Sequence, residues 1–244
     1  MMRVLAIETA TPAQSVALLD EDRLLAEASY DAKGSRGGLL LPTVDHVLRK
    51  AGVAAKDLDA VAVSIGPGSF TGLRVGLATA KGLALGTGAA VVGVSTLEAL
   101  AAGYEPAEAI TICTLLDAYR GEVYLAVFKR RAGRLERLHA DAVLAPEAVV
   151  EALANVELPA HLVGNGAARY GTQLKAALGK RVRMTESGLG AVPSAAVIAR
   201  LGRTQLAQGT RPDAALVPVY LRRTEAEVNW DKGLIKLPVA RLTS

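Results

Sequence analysis

Short apolar runs alternate along the first half of the chain with segments whose apolar residues recur every three or four positions. Such alternation is typical of strands interspersed with amphipathic helices. The pattern predicts the element order β-β-β-α-β-α-β-α. The expected strands cover residues 3–8, 15–19, 24–30, 60–65 and 90–94. The expected helices begin near Leu40, Ser69 and Ser95.

The second half repeats this order in outline, without a visible repeat of individual residues. The expected strands cover residues 110–116, 122–128, 135–143 and 162–163, and the expected helices cover residues 146–153, 169–178 and 194–207. Ser194 is the expected N-cap of the last helix. Two successive β-β-β-α-β-α units predict an α/β protein with a duplicated ribonuclease-H-like fold, the architecture of the actin-like ATPases (ASKHA).

This order divides the chain into three parts. We expect an N-terminal actin-like lobe at residues 1–104, a C-terminal actin-like lobe at residues 105–215 and an extended C-terminal tail at residues 216–244. The tail contains the single tryptophan, Trp230, among charges of both signs. It either remains mobile or becomes ordered on a partner, and the sequence leaves both alternatives open.

Composition narrows the class of protein. No apolar run approaches the roughly 20 residues of a membrane span, and no leader is apparent before the first strand, so we expect a cytoplasmic protein with no membrane partner. The net charge of +4 combines a charge of −3 over residues 1–110 with +7 over residues 111–244, so the positive excess lies in the second half. That excess is compatible with RNA binding and equally with ordinary solvating charge. The aromatic content of 4% argues against a stacking platform for single-stranded nucleic acid.

Metal-ligand patterns are not apparent in the sequence. The histidines His46, His139 and His161 lie in different predicted elements, and none has a second histidine three or four residues away. Cys113 lies inside an apolar strand, where a thiol is expected to pack in the core. We therefore expect no metal site and no catalytic residue.

The most distinctive stretch runs from residue 64 to residue 84. It leaves a buried strand, turns at residues 66–68 through two glycines, and enters a helix with Ser69 or Thr71 as its expected N-cap. Small residues then recur every four positions, at Gly72, Gly76, Ala80 and Ala84. This stripe has two interpretations: the helix start is an anion cradle, or the helix is a docking face for another helix.

Carboxylates follow the first strand of each predicted lobe. Glu8 and Asp117 are placed where a phosphotransferase of this fold needs acidic side chains near a metal-bound phosphate. The turn after Glu8 contains no glycine, which weakens it as a phosphate cradle, and capping of turns is an equal alternative. The candidate nucleotide or anion contacts are Glu8, Thr9, Gly68, Ser69 and Asp117.

Five distinctive motifs span essentially the whole chain. They are Ile7-Glu8-Thr9-Ala10, the run from Gly66 to Arg74, the run from Lys81 to Ala84, Asp117-Ala118 with the run from Gly121 to Tyr124, and the run from Pro218 to Arg222. Together these motifs resemble the bacterial TsaB (YeaZ) family. The resemblance implies a subunit of the complex that makes N6-threonylcarbamoyladenosine in tRNA beside the anticodon. In this family the transferase chemistry belongs to a paralogue, TsaD. An older label for the family, glycoprotease, is disfavoured.

The resemblance also implies that this chain lacks the paralogue's metal centre. TsaD carries a Gly-Val-Asn-His-x-x-x-His run whose histidines bind its metal, and the corresponding run here extends from Gly93 to Leu100. The ligand positions hold Thr96 and Leu100, and neither side chain is a suitable ligand. TsaD's later Asp-Asn-Gly run has no counterpart. The expected role is therefore that of a non-catalytic subunit that binds and activates TsaD.

The resemblance implies a heterodimer with TsaD through the first two helices, a ternary complex with the ATPase TsaE, indirect contact with tRNA, and ATP or ADP only at subunit interfaces. The chain alone is expected to form a homodimer. The expected partner interface consists of Leu40, Val44, Val47, Leu48, Gly72, Val75, Gly76, Thr79 and Ala80. Gly76→Leu is expected to block docking, or to unfold the chain if this face packs inside its own lobe. The alternative function is an actin-like-fold ATPase or small-molecule kinase.

Overall fold

A computed structural model describes residues 2–32, 38–105, 110–154, 156–157, 159–212 and 215–222. Trp230 and the rest of the predicted tail from residue 223 lie outside the described residues. Within the described part of the chain, no helix combines the length and apolar character needed to cross a membrane.

The first lobe is a mixed sheet covered by helices. Its strands are β1 (Arg3–Glu8), β2 (Ala13–Asp20), β3 (Arg23–Asp31), β4 (Ala60–Gly66) and β5 (Ala90–Ser95), and its sequence also supplies α1 (Leu40–Ala51), α2 (Phe70–Thr87) and α3 (Thr96–Gly103). The strands lie in the order β3-β2-β1-β4-β5. β1 pairs antiparallel with β2 and parallel with β4.

The second lobe has the same arrangement. Its strands are β6 (Ile110–Asp117), β7 (Val123–Arg131), β8 (Arg134–Leu144), β9 (Ala160–Val163) and β10 (Val182–Met184), and the helices of this half are α4 (Pro146–Ala152), α5 (Asn165–Leu178), α6 (Glu186–Leu189) and α7 (Ala195–Ala207). The order β10-β9-β6-β7-β8 repeats that of the first sheet. The predicted duplicated ribonuclease-H-like fold is therefore confirmed.

The structure of the second half differs from the prediction in the start of α5 and in two short elements, and it confirms one predicted cap. α5 begins at Asn165, four residues before the expected start, directly after Gly164 in the left-handed region at φ 108°. β10 and α6 were not predicted, because elements of three and four residues are too short to display a period. The expected N-cap Ser194 is confirmed, since its hydroxyl accepts a hydrogen bond from the Ala196 N–H at 3.2 Å.

Each face of the first sheet has its own core. Alternate residues of β1 and β4, such as Ile7 and Val63, pack against α1 and α2. The intervening residues, such as Ala6 and Ala62, pack against α7. Central strands buried on both faces read as continuous apolar runs rather than as an alternation, which is why these strands were easy to recognise.

The lobes exchange helices. α7 belongs by sequence to the predicted C-terminal lobe (105–215), but it packs on the first sheet. A Cβ atom on Gly202 of α7 would lie 2.7 Å from the Ala62 Cβ, so glycine permits this close approach. α3, which ends the predicted N-terminal lobe, places Leu97 and Leu100 in a core shared with Ile112 of the second sheet. The two lobes thus interlock through α3 and α7.

Candidate functional site

The helix α2 starts at the carboxyl end of β4 after a short turn. The Ser69 hydroxyl accepts a hydrogen bond from the Gly72 N–H at 3.2 Å, so Ser69, and not Thr71, is the N-cap. The cap satisfies one of the N–H groups that a helix start otherwise leaves unpaired.

The small residues at the start of α2 face the turn between β1 and β2, which consists of residues 9–12. A Cβ atom on Gly72 would come closer than 3.0 Å to the Thr9 carbonyl oxygen, and one on Gly76 would come equally close to the Thr9 hydroxyl. A Cβ atom on Gly68 would collide with the carbonyl oxygen of Ala10. The stripe is therefore a docking face for the chain's own β1–β2 turn.

This packing uses the N–H groups that a phosphate would need. The Ala10 N–H donates to Glu8 Oε1 at 2.7 Å, and the Ser69 N–H donates to the Ala10 carbonyl at 2.8 Å. The Thr9 N–H donates to the Ser64 hydroxyl at 3.3 Å. A phosphate cradle depends on free N–H donors, and the N–H groups of Thr9, Ala10 and Ser69 are already paired inside the protein.

Glu8 lies beneath the same turn with no exposed surface. Burial raises the pKa of its carboxyl to about 7, partly offset by hydrogen bonds from Ser64 and from the backbone of Ala10 and Thr11. Its Oε2 atom has no hydrogen-bond partner among the described residues. The carboxyl holds the turn in place from inside the protein.

Asp117 lies in a separate group in the second lobe. Its carboxylate accepts hydrogen bonds from Arg169 Nη1 at 2.7 Å and from the Tyr119 N–H at 3.0 Å. Its own N–H donates to Asn165 Oδ1 at 2.9 Å. The aspartate raises the pKa of Arg169. The structure thus brings Glu8 together with Thr9, Gly68 and Ser69, whereas Asp117 joins the end of β6 to the start of α5.

The residues of the expected partner interface lie mostly inside the first lobe. Leu40, Val44, Val47, Leu48, Gly72, Gly76 and Ala80 are buried, and Val75 and Thr79 are partly exposed. The four residues of α1 pack in the core on the sheet, because they form its apolar face. These seven buried residues therefore face the interior of the first lobe, and their part in a partner interface stays a prediction.

A second small-residue stripe lies on the opposite side of α2. Ala78, Gly82 and Gly86 are exposed at a spacing of four residues, and a Cβ atom on either glycine would meet nothing within 4 Å. Leu85 beside them is 90% exposed. We call Ala78, Gly82, Leu85 and Gly86 the outer face. Its signal in the sequence is that small residues recur on both sides of α2, while the predicted stripe covers one side only.

An open cavity of about 440 Å³ lies between the lobes. Its walls come from the β1–β2 turn, the end of β3, the start of α5 and residues 191–193: Thr11, Pro12, Ala13, Ser29, Tyr30, Asp31, Leu116, Asn165, Ala191, Val192 and Pro193. The Tyr30 hydroxyl already donates to Gln14 Oε1 at 2.7 Å. The walls are predominantly apolar.

Thr96 and Leu100, the positions that the family resemblance aligns with metal ligands, are buried in this chain. Thr96 and Leu100 have 0% and 1% exposure at the start and middle of α3. Among the residues that the structure describes, no group of three or more His, Cys, Asp and Glu side chains could hold a metal ion. Cys113 is buried in β6, and desolvation raises the pKa of its thiol to about 12, so it is a poor nucleophile.

Comparison with known proteins connects this geometry to a family. A model of the TsaD family, described as tRNA N6-adenosine threonylcarbamoyltransferase, matches residues 38–230. A protein of Bacillus subtilis named tRNA threonylcarbamoyladenosine biosynthesis protein TsaB is 31% identical over 233 residues, covering 94% of this chain and 98% of that protein. The chain belongs to the TsaB (YeaZ) family. The resemblance of the sequence motifs is therefore confirmed.

Two further relatives agree with membership of the TsaB family. The Escherichia coli protein of the same name is 38% identical over 167 residues, covering 68% of this chain and 72% of that protein. The structure of YeaZ from Pseudomonas aeruginosa has a TM-score of 0.74 and 30% identity, covering 91% of this chain and all of that one. Both the sequence and the arrangement of the two lobes are thus those of TsaB proteins.

Proposed function

We propose that this TsaB-family chain is a non-catalytic subunit needed to form N6-threonylcarbamoyladenosine in tRNA, where it binds and activates a TsaD paralogue in the cytoplasm. The observation that carries the proposal is the outer face of α2. It is a helix surface of small residues with one leucine, Leu85, that is 90% exposed, and Lys81 lies beside it. Such a surface allows a second helix to approach closely.

The non-catalytic role is supported by the chemistry of the described residues. Thr96 and Leu100 are packed in a core at the positions that would have to ligate metal. The Cys113 thiol is buried and protonated at neutral pH. The buried Glu8 carboxyl points under its own turn and accepts a backbone hydrogen bond there. These groups act in packing, and the transferase chemistry belongs to the paralogue.

The outer face replaces the interface expected from the sequence. The residues first assigned to docking hold α1 and α2 on their own lobe, so a partner reaches the opposite side of α2. Val75 and Thr79 border this side and remain available to it. Without the paralogue, two copies of the chain bury the same face against each other as a homodimer, because an exposed apolar helix surface favours burial.

Nucleotide, the ATPase TsaE and tRNA are bound only by the assembled complex. The N–H donors of the β1–β2 turn are used inside the protein, so the isolated chain holds no resident ATP or ADP. Nucleotide binds at the interfaces with TsaD and the ATPase TsaE, and tRNA is reached indirectly through the complex. Titration of the isolated chain with magnesium-ATP in a calorimeter tests this. Micromolar binding with turnover would favour the actin-like ATPase or kinase instead.

The experiment for the docking surface compares two exposed helical alanines. Ala78→Arg places a long charged side chain on the outer face, and Ala176→Arg places the same side chain on α5. We expect Ala78→Arg to abolish co-purification with the TsaD paralogue and to stop threonylcarbamoyl transfer to tRNA in a reconstituted reaction. Ala176→Arg should leave both unchanged.

Two results would contradict the proposal. Equal binding of the paralogue by the two variants would remove the outer face as the docking surface. Full transfer activity from the other components without this chain would remove its role as a required subunit.

A further inference from the structure

The described C-terminal segment, residues 215–222, docks along the first lobe without forming a helix or strand. The Val219 N–H donates to the Ile65 carbonyl at the end of β4, with a distance of 2.7 Å. Leu216 packs against the core shared by α1, α2 and the sheet. The segment is therefore held by a backbone hydrogen bond and by apolar burial at the same strand end.

Two glycines make room for this segment. A Cβ atom on Gly66 would lie 2.6 Å from the Val219 carbonyl oxygen, and Gly66 also has φ 119°, which disfavours other residues. A Cβ atom on Gly93 in β5 would lie 2.9 Å from the Leu216 side chain. Gly66 belongs to the turn that the sequence suggested as an anion cradle, and the structure gives it a packing role instead.

An aromatic contact fastens the segment to the start of α2. The Tyr220 ring lies 4.9 Å from the Phe70 ring, and its hydroxyl accepts a hydrogen bond from Arg74 Nε at 2.9 Å. The Arg74 guanidinium also lies over the Phe70 ring, 3.8 Å from its centre. Three side chains thus support one another, although each is partly exposed.

The next two residues of the segment contact the second lobe. Leu221 packs against the core that contains β6 and β7. Arg222 Nη1 donates to the Ala118 carbonyl at 2.8 Å, and its Nε lies 3.5 Å from Glu122 Oε2. Both partners belong to the turn between β6 and β7, in which residues 119–121 all have positive φ. Arg222 therefore contacts a turn whose conformation is itself unusual.

We propose that residues 215–222 act as a clasp that fixes the angle between the two lobes. The clasp joins the start of α2 directly to the β6–β7 turn, so rotation of one lobe against the other requires breaking its contacts at one end. Hinge motion between two packed lobes requires that the segment joining them can change its contacts at low cost. In this chain, residues 215–222 contact both lobes at once, so the clasp opposes such motion.

The test measures the distance between the lobes in the full chain. Spin labels are placed on the exposed positions Lys56 and Lys180 by Lys56→Cys and Lys180→Cys substitutions, one in each lobe. The natural Cys113 is buried and stays unlabelled. We expect a narrow distance distribution for the parent chain. In the Tyr220→Ala/Arg222→Ala variant the distribution should broaden or shift, with loss of amide-exchange protection in residues 118–122.

A matched control and a second variant keep the result interpretable. Val217→Ala changes a residue of the same segment that is 67% exposed, and it should leave the distances unchanged. Glu122→Ala breaks the ion pair from the other lobe without altering the segment, so it should broaden the distribution as well. Circular dichroism confirms folding of each variant. Distances and exchange that match the parent in both the double variant and Glu122→Ala would overturn the clasp.

Discussion

Replacing Gly76 by alanine tests whether the inner side of α2 is packed against the β1–β2 turn. The added Cβ atom would lie closer than 3.0 Å to the Thr9 hydroxyl, whereas ordinary contacts lie at 3.4–4 Å. Thr9 is fully buried, so neither atom can move away into solvent. Overpacking of this kind destabilises a core by about 1–3 kcal/mol.

The matched change is Gly82→Ala on the same helix. A Cβ atom there meets nothing within 4 Å, so only the backbone entropy of glycine changes. Alanine should therefore stabilise the chain by about 0.5–1 kcal/mol. The same substitution six residues apart is expected to have opposite signs. The Gly76→Leu variant considered from the sequence should accordingly unfold the chain, rather than leave it folded and unable to dock.

Urea unfolding followed by circular dichroism measures both free energies. A double-mutant cycle then assigns the cause, because Thr9→Ala removes the hydroxyl that the new methyl group meets. We expect Gly76→Ala to cost less in the Thr9→Ala background than in the wild-type background. The reasoning is refuted if Gly76→Ala is as stable as the wild type, or if Thr9→Ala leaves its cost unchanged.

Three further outcomes follow from single side chains. Burial raises the folded-state pKa of Glu8 from 4.5 to about 7, so the folded state binds the proton more tightly than the unfolded state does. The free energy of unfolding should therefore fall as the pH rises from about 4.5 through 7, by up to ~3 kcal/mol. Glu8→Gln should flatten this profile in unfolding curves collected across that range, and an unchanged slope would contradict it. Ser69→Ala removes the N-cap of α2 and should cost about 1 kcal/mol in urea unfolding; Thr71→Ala, two residues further along the chain, is the control. Because the Cys113 thiol is buried with a pKa of about 12, a colorimetric thiol reagent should react with it only in denaturant, and rapid reaction in native buffer would show that β6 is accessible.

The sequence by itself was sufficient for β1 to β9, the long helices and the duplication, whereas the three-residue strand β10 escaped it. β1 and β4 are buried on both faces, so their apolar runs are continuous and easily read. Caps such as Ser69 and Ser194 accept hydrogen bonds from N–H groups two or three residues ahead, and the sequence predicted Ser194 outright and Ser69 as one of two alternatives. Family membership was also readable, because the motif from Gly66 to Arg74 is distinctive.

Tertiary structure alone decided which side of α2 meets the protein and which meets solvent. Small residues recur on both sides of this helix, so its pattern contains no strong apolar direction that could orient it. The β1–β2 turn occupies the side with Gly72 and Gly76, and this leaves Gly82 exposed. The packing of α3 and α7 against the opposite lobes could not be predicted from the sequence either. An amphipathic pattern indicates that one face of a helix is buried, but it does not indicate which surface covers that face.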